Sequence, residues 1–147
     1  HFRHDCKLIK IPGMPYIYAM ILPFLTIASS SNRGRGVFTT ESIEKGTVIE
    51  IAPVIVLNAV ERSHVENTLL YDYIFEWGED HKAAAVALGY ISIYNHMPDP
   101  NCAYQMDFEH QTITITTLQN IQKGEELFIN YMNPEGASNK AVWFDTF

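Results

Sequence analysis

The sequence of 147 residues predicts a mainly β protein with one small, partly helical insert. Three observations carry that class. Residues 47–57 are a long β-prone run, interrupted only at Pro53. Over residues 112–118, Ile113 and Ile115 alternate with threonines, the period of a strand with one apolar face. Ile43-Glu44-Lys45-Gly46 is echoed by Ile121-Gln122-Lys123-Gly124, each between two β-like stretches. The shared Lys-Gly marks a turn whose glycine takes positive φ. Two copies are too few for a solenoid, so they read as similar corners in an all-β framework.

Taken in order, residues 1–6 cluster His1, His4, Asp5 and Cys6 and read as a solvated terminus. Residues 14–28 are apolar and end Ala28-Ser29-Ser30, like a signal-peptide core and cleavage site. Pro15 and Pro23 interrupt that run, and it is too short to span a bilayer. It reads instead as strands leading into the domain, with 17–27 a strand kinked at Pro23. Residues 29–36 hold serines, Asn32 and two glycines and form a flexible turn, followed by a strand at 37–40. Residue 42 opens the first Lys-Gly corner, and 47–57 is expected to break at Pro53. Residues 58–89, including the run from Ala83 to Leu88, read as helical pieces broken near Gly78 and Gly89. Residues 103–108 and 112–118 flank Glu109-His110-Gln111 as an antiparallel hairpin. The segment 126–131 is the last strong one before the break at Asn133-Pro134-Glu135-Gly136. Trp143, Phe144 and Phe147 then form an aromatic tail that would not remain in water without a reason, and is expected either to fold back over a binding site or to pack on the domain surface.

Composition excludes some functions. Hydrophobic residues make up 47% and aromatics 12%, as in a folded domain with a core. A net charge of −7 argues against direct nucleic-acid binding, which needs a basic surface, and is compatible with a basic protein or peptide partner. Cys6 and Cys102 lie far apart and form no metal-spaced pair, which suits free thiols in a reducing compartment. An intracellular, cytoplasmic or nuclear setting with no membrane association is expected.

The polar centre of the chain is Tyr94-Asn95-His96-Met97-Pro98-Asp99-Pro100-Asn101-Cys102. An apolar run feeds into it and a hairpin leaves it. Asn95 and His96 follow residues apolar enough to be buried, where an unpaired polar group costs roughly 1–3 kcal/mol. They must therefore bind backbone, a neighbouring loop or a ligand. A metal site from His96, Asp99 and Cys102 is disfavoured, because the prolines rule out helical ligand spacing and four ligands are not evident.

Three signals stand in order: Arg33-Gly34-Arg35-Gly36, then Asn95-His96 through Pro100-Asn101-Cys102, then Glu126-Leu127 through Tyr131. Together they resemble the SET-domain protein lysine methyltransferases. The glycine turn is similar to that family's first cofactor loop. The middle segment resembles its Asn-His-Ser-x-x-Pro-Asn-Cys signature, and the last its Glu-Leu-x-Tyr-Asp-Tyr segment. The likeness is strongest to short, stand-alone members of bacterial or viral type, without zinc-binding cysteine flanks.

The resemblance implies a SET fold of short curled sheets with a knot-like crossing over 25–131, with the insert at 58–89. Residues 1–24 would be an N-terminal extension of strands and 132–147 an aromatic flank. It also implies transfer of a methyl group from S-adenosylmethionine, leaving S-adenosylhomocysteine, to a lysine of a basic protein substrate, possibly a histone. No metal is implied, and the chain would be a monomer or homodimer. The cofactor would meet Arg33, Gly34, Arg35, Gly36, Asn95, His96 and Trp143. Tyr131, Tyr104 and His96 would be catalytic, and Tyr73, Tyr104, Ile129 and Tyr131 would line the lysine channel. Three departures stand out: Met97 replaces a serine, Ser92 a basic residue, and Ile129 a tyrosine or phenylalanine. The alternative is a SET-fold binding module without catalysis; intact Asn95, His96 and Tyr131 favour the enzyme.

Overall fold

A computed structural model describes residues 12–13 and 17–134. The expectations for residues 1–11, for Trp143 and for the rest of the aromatic tail fall outside the described residues. Among the described residues, ten strands form two sheets. The first holds β1 (Met20–Ile21), β4 (Val48–Leu57), β5 (Ile74–Trp77), β6 (Ala83–Ala87), β8 (Cys102–Asp107) and β9 (Thr112–Thr117). Its order is β5-β6-β4-β9-β8, with β1 also on β4. The second holds β2 (Leu25–Ser30), β3 (Gly34–Thr39), β7 (Asn95–His96) and β10 (Glu126–Ile129), in the order β2-β3-β10-β7. The core includes Val37, Ile49, Ile91, Tyr94, Cys102, Ile113, Ile115, Leu127 and Ile129, all fully buried.

The alternating pattern at 112–118 forms β9, which pairs β8 on one edge and β4 on the other. The echoed corners prove to be partners: Ile43 and Ile121 exchange both backbone hydrogen bonds, at 2.9 and 2.8 Å. Gly46 and Gly124 that follow them have φ of 81° and 88°, the left-handed region that a side chain disfavours.

Three expectations are corrected. Residues 17–27 are not one kinked strand: Pro23 sits in a turn, so β1 joins the first sheet and β2 the second. Pro53 does not break its run. The Pro53 carbonyl accepts from Leu88 N–H, and the missing N–H falls between the residues that pair β1 and those that pair β6. No ladder bond is therefore lost. Residues 83–87 form strand β6 rather than helix, paired with β4 and β5. Alanine favours helix by only a few tenths of a kcal/mol per residue, roughly, over most residues. Here Ala84, Ala85 and Ala87 are buried, and tertiary packing outweighs that preference.

Ile74–Trp77, in the same insert, is likewise strand β5 rather than helix, and only the first part of the insert, over residues 59–73, is helical as expected. Helix α1 (Ala59–Val65) opens with a capping box: Asn58 accepts from the Val60 and Glu61 N–H groups, and Glu61 accepts from the Asn58 N–H. A 3-10 turn over Leu69–Tyr73 follows.

Candidate active site

The site forms where β10 lies between β3 and β7. β7 runs parallel to β10, with Phe128 opposite Asn95 and Ile129 opposite His96. β3 runs antiparallel to it, with Leu127 opposite Val37. Residues far apart in sequence thus meet on one strand. Side-chain bonds add to the ladder. Asn101 Nδ2 donates to the Glu126 carbonyl at 2.8 Å, and Asn101 Oδ1 accepts from Phe128 N–H at 2.8 Å. Asn130 Nδ2 donates to the Pro98 carbonyl at 3.1 Å. Asn101 is therefore bonded like a missing strand residue, which accounts for the asparagine after Pro100.

Tyr131 follows β10 and is 46% exposed. Its hydroxyl donates to the Tyr94 carbonyl at 2.5 Å, and its backbone N–H donates to His96 Nδ1 at 3.1 Å. The His96 and Tyr131 rings lie 5.1 Å apart. Burial, with the Arg33 charge beside it, holds the His96 ring below its ordinary pKa, so it stays neutral and accepts that bond. Burial also raises the Tyr131 phenol, with Arg33 pulling the other way and Tyr73 adding to the rise. The hydroxyl is a neutral donor at physiological pH.

Arg33 donates to the His96 carbonyl, and its guanidinium lies 5.4 Å from the centre of the Phe128 ring. Asn95 Nδ2 donates to the Arg35 carbonyl at 3.0 Å and to Glu126 Oε1 at 2.7 Å. Glu126 Oε2 accepts from Ser30 Oγ at 2.8 Å. Gly36 is fixed by this cluster: a Cβ there would lie 2.1 Å from Glu126 Oε1 and 3.0 Å from Asn95 Nδ2. Gly34 has another reason, a φ of 71° as it leaves the turn between β2 and β3.

Among the sequence-predicted site residues, the structure brings Arg33, Gly34, Arg35, Gly36, Asn95, His96 and Tyr131 together. Tyr104 adjoins them: its hydroxyl donates to the Tyr131 carbonyl at 3.0 Å, and its ring meets Phe75 edge-on at 5.8 Å. Burial pushes that phenol up to about 12. Tyr73 sits near enough to act electrostatically on Tyr131, and its carbonyl accepts from Ser92 Oγ at 2.9 Å. Ile129 is a fully buried member of the core with no open surface. Cys102 is a buried free thiol, pushed up to about 12 by burial, and is chemically quiet. No group of three His, Cys, Asp or Glu among the described residues could hold a metal ion.

Sequence reasoning missed the roles of Glu126 and Phe128. A signal was present: β10 alternates half-buried and buried residues, so Glu126 and Phe128 share the open face while Leu127 and Ile129 fill the core. Ser30 had no signal, because only the β2–β3 pairing carries it to Glu126.

Comparison with known proteins places these features in a family. The SET domain family matches residues 34–132. A Schizosaccharomyces pombe protein named "Histone-lysine N-methyltransferase, H3 lysine-37 specific" is 37% identical over 108 residues, covering 73% of this chain and 72% of that protein. A solved Plasmodium falciparum structure, provisionally described as a histone methyltransferase, is 31% identical. It aligns with a TM-score of 0.57 over 73% of this chain and 91% of its own. A chain of apo ctPRC2 in an autoinhibited state aligns with a TM-score of 0.63 at 23% identity, over 76% of this chain and 16% of its own, a likeness of fold alone.

Proposed function

The chain belongs to the SET domain family and is a protein-lysine N-methyltransferase, and from that premise we propose that Tyr131 is its central catalytic residue and a histone H3 lysine its substrate. The observation that carries the reading is the Tyr131 hydroxyl bound to the Tyr94 carbonyl beside His96. S-adenosylmethionine supplies a methyl group whose bond to sulfur breaks with the electron pair staying on sulfur, as a new bond forms to the lysine nitrogen.

The residues present fit that cofactor. Arg33 offers an exposed guanidinium for a carboxylate, next to the face of Phe128 and the His96 ring. Asn95 is held rigidly by Arg35 and Glu126, with its amide oxygen available to a ligand amine. Arg33 would replace the charge lost where Ser92 stands. No chain residue needs to assist the leaving group, because a neutral thioether departs readily. The protein instead aligns the reactants and excludes water. Tyr131, aimed by the Tyr94 carbonyl, would turn its hydroxyl oxygen toward the methyl group and hold it by C–H···O contact. The lysine must arrive neutral, so its proton leaves to solvent before transfer.

Support for a histone H3 substrate comes from the curated relative's name and from the net charge of −7 of this chain, which suits a basic tail. That substrate suggests a nuclear setting. The test is Tyr131→Phe, assayed on histone H3 by mass spectrometry. A hydroxyl that acts mainly at the transition state lowers kcat by about a hundredfold or more and leaves the cofactor Kd nearly unchanged. Full activity in the variant would make Tyr131 a packing residue.

A further inference from the structure

The aim of the Tyr131 hydroxyl depends on where the Tyr94 carbonyl sits, and Tyr94 is itself gripped from below. Glu50 enters from β4 at a bulge and is fully buried. Its Oε1 accepts from the Tyr90 N–H at 2.6 Å, and its Oε2 accepts from the Tyr94 hydroxyl at 2.9 Å. The two bonds bracket the 3-10 turn over Ile91–Ile93. Gly89, with φ of 72°, makes the approach possible: a Cβ there would lie 2.5 Å from Glu50 Oε1. We propose that Glu50 is a positioning residue for methyl transfer, fixing the turn over residues 90–94 and so the carbonyl that orients Tyr131. The proposal rests on the methyltransferase reading of Tyr131.

A packing role alone explains Glu50 poorly. A carboxyl taken out of water needs compensation, and an apolar residue would fill this place in the core without that need. Only the two donors of the turn favour its ionised form. One of them, the Tyr90 N–H, is backbone and cannot rotate away. A carboxylate accepts from both donors in charge-assisted bonds, whereas a protonated carboxyl keeps the Tyr90 N–H on its carbonyl oxygen and meets Tyr94 only if that hydroxyl turns round to accept, both in weaker neutral bonds. Burial raises the group to about 7, so the aligned carboxylate forms across neutral pH. Among the described residues, the titratable groups that act on the Glu50–Tyr94 pair are Tyr90 on the turn and Cys102 on β8, the latter beside Tyr94. Burial keeps the Tyr94 phenol and the Cys102 thiol protonated through this range. The neighbouring strands β1 and β9 present Ile21 and Ile115 in register with Glu50.

The test uses the full chain as Glu50→Gln and Tyr94→Phe, with Tyr131→Phe as reference. Cofactor affinity is read by calorimetry with S-adenosylmethionine, and kcat and KM on histone H3 are followed from pH 6 to 9. Both variants are expected to lose about tenfold or more in kcat while the cofactor Kd stays within about twofold. The wild-type kcat should step upward near pH 7, and that step should vanish in Glu50→Gln while the later rise from substrate-lysine deprotonation remains. Wild-type kcat in a folded Glu50→Gln, or a persistent step, overturns the proposal. So does a loss of cofactor affinity as large as the loss of kcat, which would mark general disruption. If Glu50→Gln does not fold, Tyr94→Phe decides, since it removes one hydroxyl only; an unchanged kcat there overturns the proposal. A wild type that transfers no methyl to H3 defeats the functional reading and this proposal with it. An active wild type, an inactive Tyr131→Phe and fully active Glu50 and Tyr94 variants defeat this proposal alone.

Discussion

Gly36→Ala puts one methyl group into the tightest contact of the candidate cofactor loop. The new Cβ would meet Glu126 Oε1 at 2.1 Å and Glu126 Cδ at 2.8 Å. Gly36 lies outside the left-handed region, so alanine carries no backbone penalty there. The Glu126 carboxylate ends a flexible side chain and is the part that yields. Yielding breaks the bonds to Asn95 at 2.7 Å and to Ser30 at 2.8 Å. Both are charge-assisted but half-exposed, so about 1 kcal/mol each is reasonable, or about 2 kcal/mol in all. For a domain of this size that lowers Tm by about 6 °C. Asn95 also loses the partner that holds it, and a loss of about 1.4 kcal/mol in its alignment would weaken S-adenosylmethionine binding about tenfold. Thermal unfolding and calorimetry measure both effects. Glu126→Ala completes a double-mutant cycle: with the carboxylate gone, Gly36→Ala should add little further loss of stability. Wild-type Tm and affinity in Gly36→Ala, or fully additive losses in the cycle, would refute the account.

The remaining predictions concern Tyr104 and Glu50. Tyr104→Phe removes the donor to the Tyr131 carbonyl and should cost about 1 kcal/mol of stability. If the hydroxyl also holds the amine or a water against a second methylation, mass spectrometry at long reaction times will show more dimethyl-lysine; an unchanged product ratio would remove Tyr104 from the channel. Glu50 titrates at about 7 when folded against an ordinary value of 4.5, so the folded state holds its proton more tightly. Its contribution is therefore fully present below pH 4.5 and is lost as pH rises through about 7, a fall of about 3 kcal/mol. Urea unfolding across that range should show wild type losing stability relative to Glu50→Gln, and parallel curves would contradict the assignment.

The same carboxylate thus weakens the fold in the form that best grips the turn at residues 90–94. Active-site surroundings often give up stability for geometry in this way. The cost also falls at a place sequence patterning cannot flag. Glu50 lies within a β-prone run, where an isolated polar residue reads as a solvent-facing position.

Much of the architecture was legible in the order of residues. Alternation at Ile113 and Ile115, the Lys-Gly corners and the three ordered motifs each depend on neighbours within a few positions, so local chemistry determined them. The motifs also named most of the cluster, from Arg33 to Tyr131, because each residue keeps its place within a short signature. What the tertiary structure alone decided is every pairing across distance. It sent the two halves of the run split at Pro23 to different sheets, made a strand of Ala83–Ala87, paired Ile43 with Ile121, and carried Ser30 and Gly36 to Glu126. Propensity differences between helix and strand are a few tenths of a kcal/mol per residue, roughly, while burial of side chains on a partner strand is worth several times that. Where the two conflict, the partner wins, and the identity of the partner is written only in the folded chain.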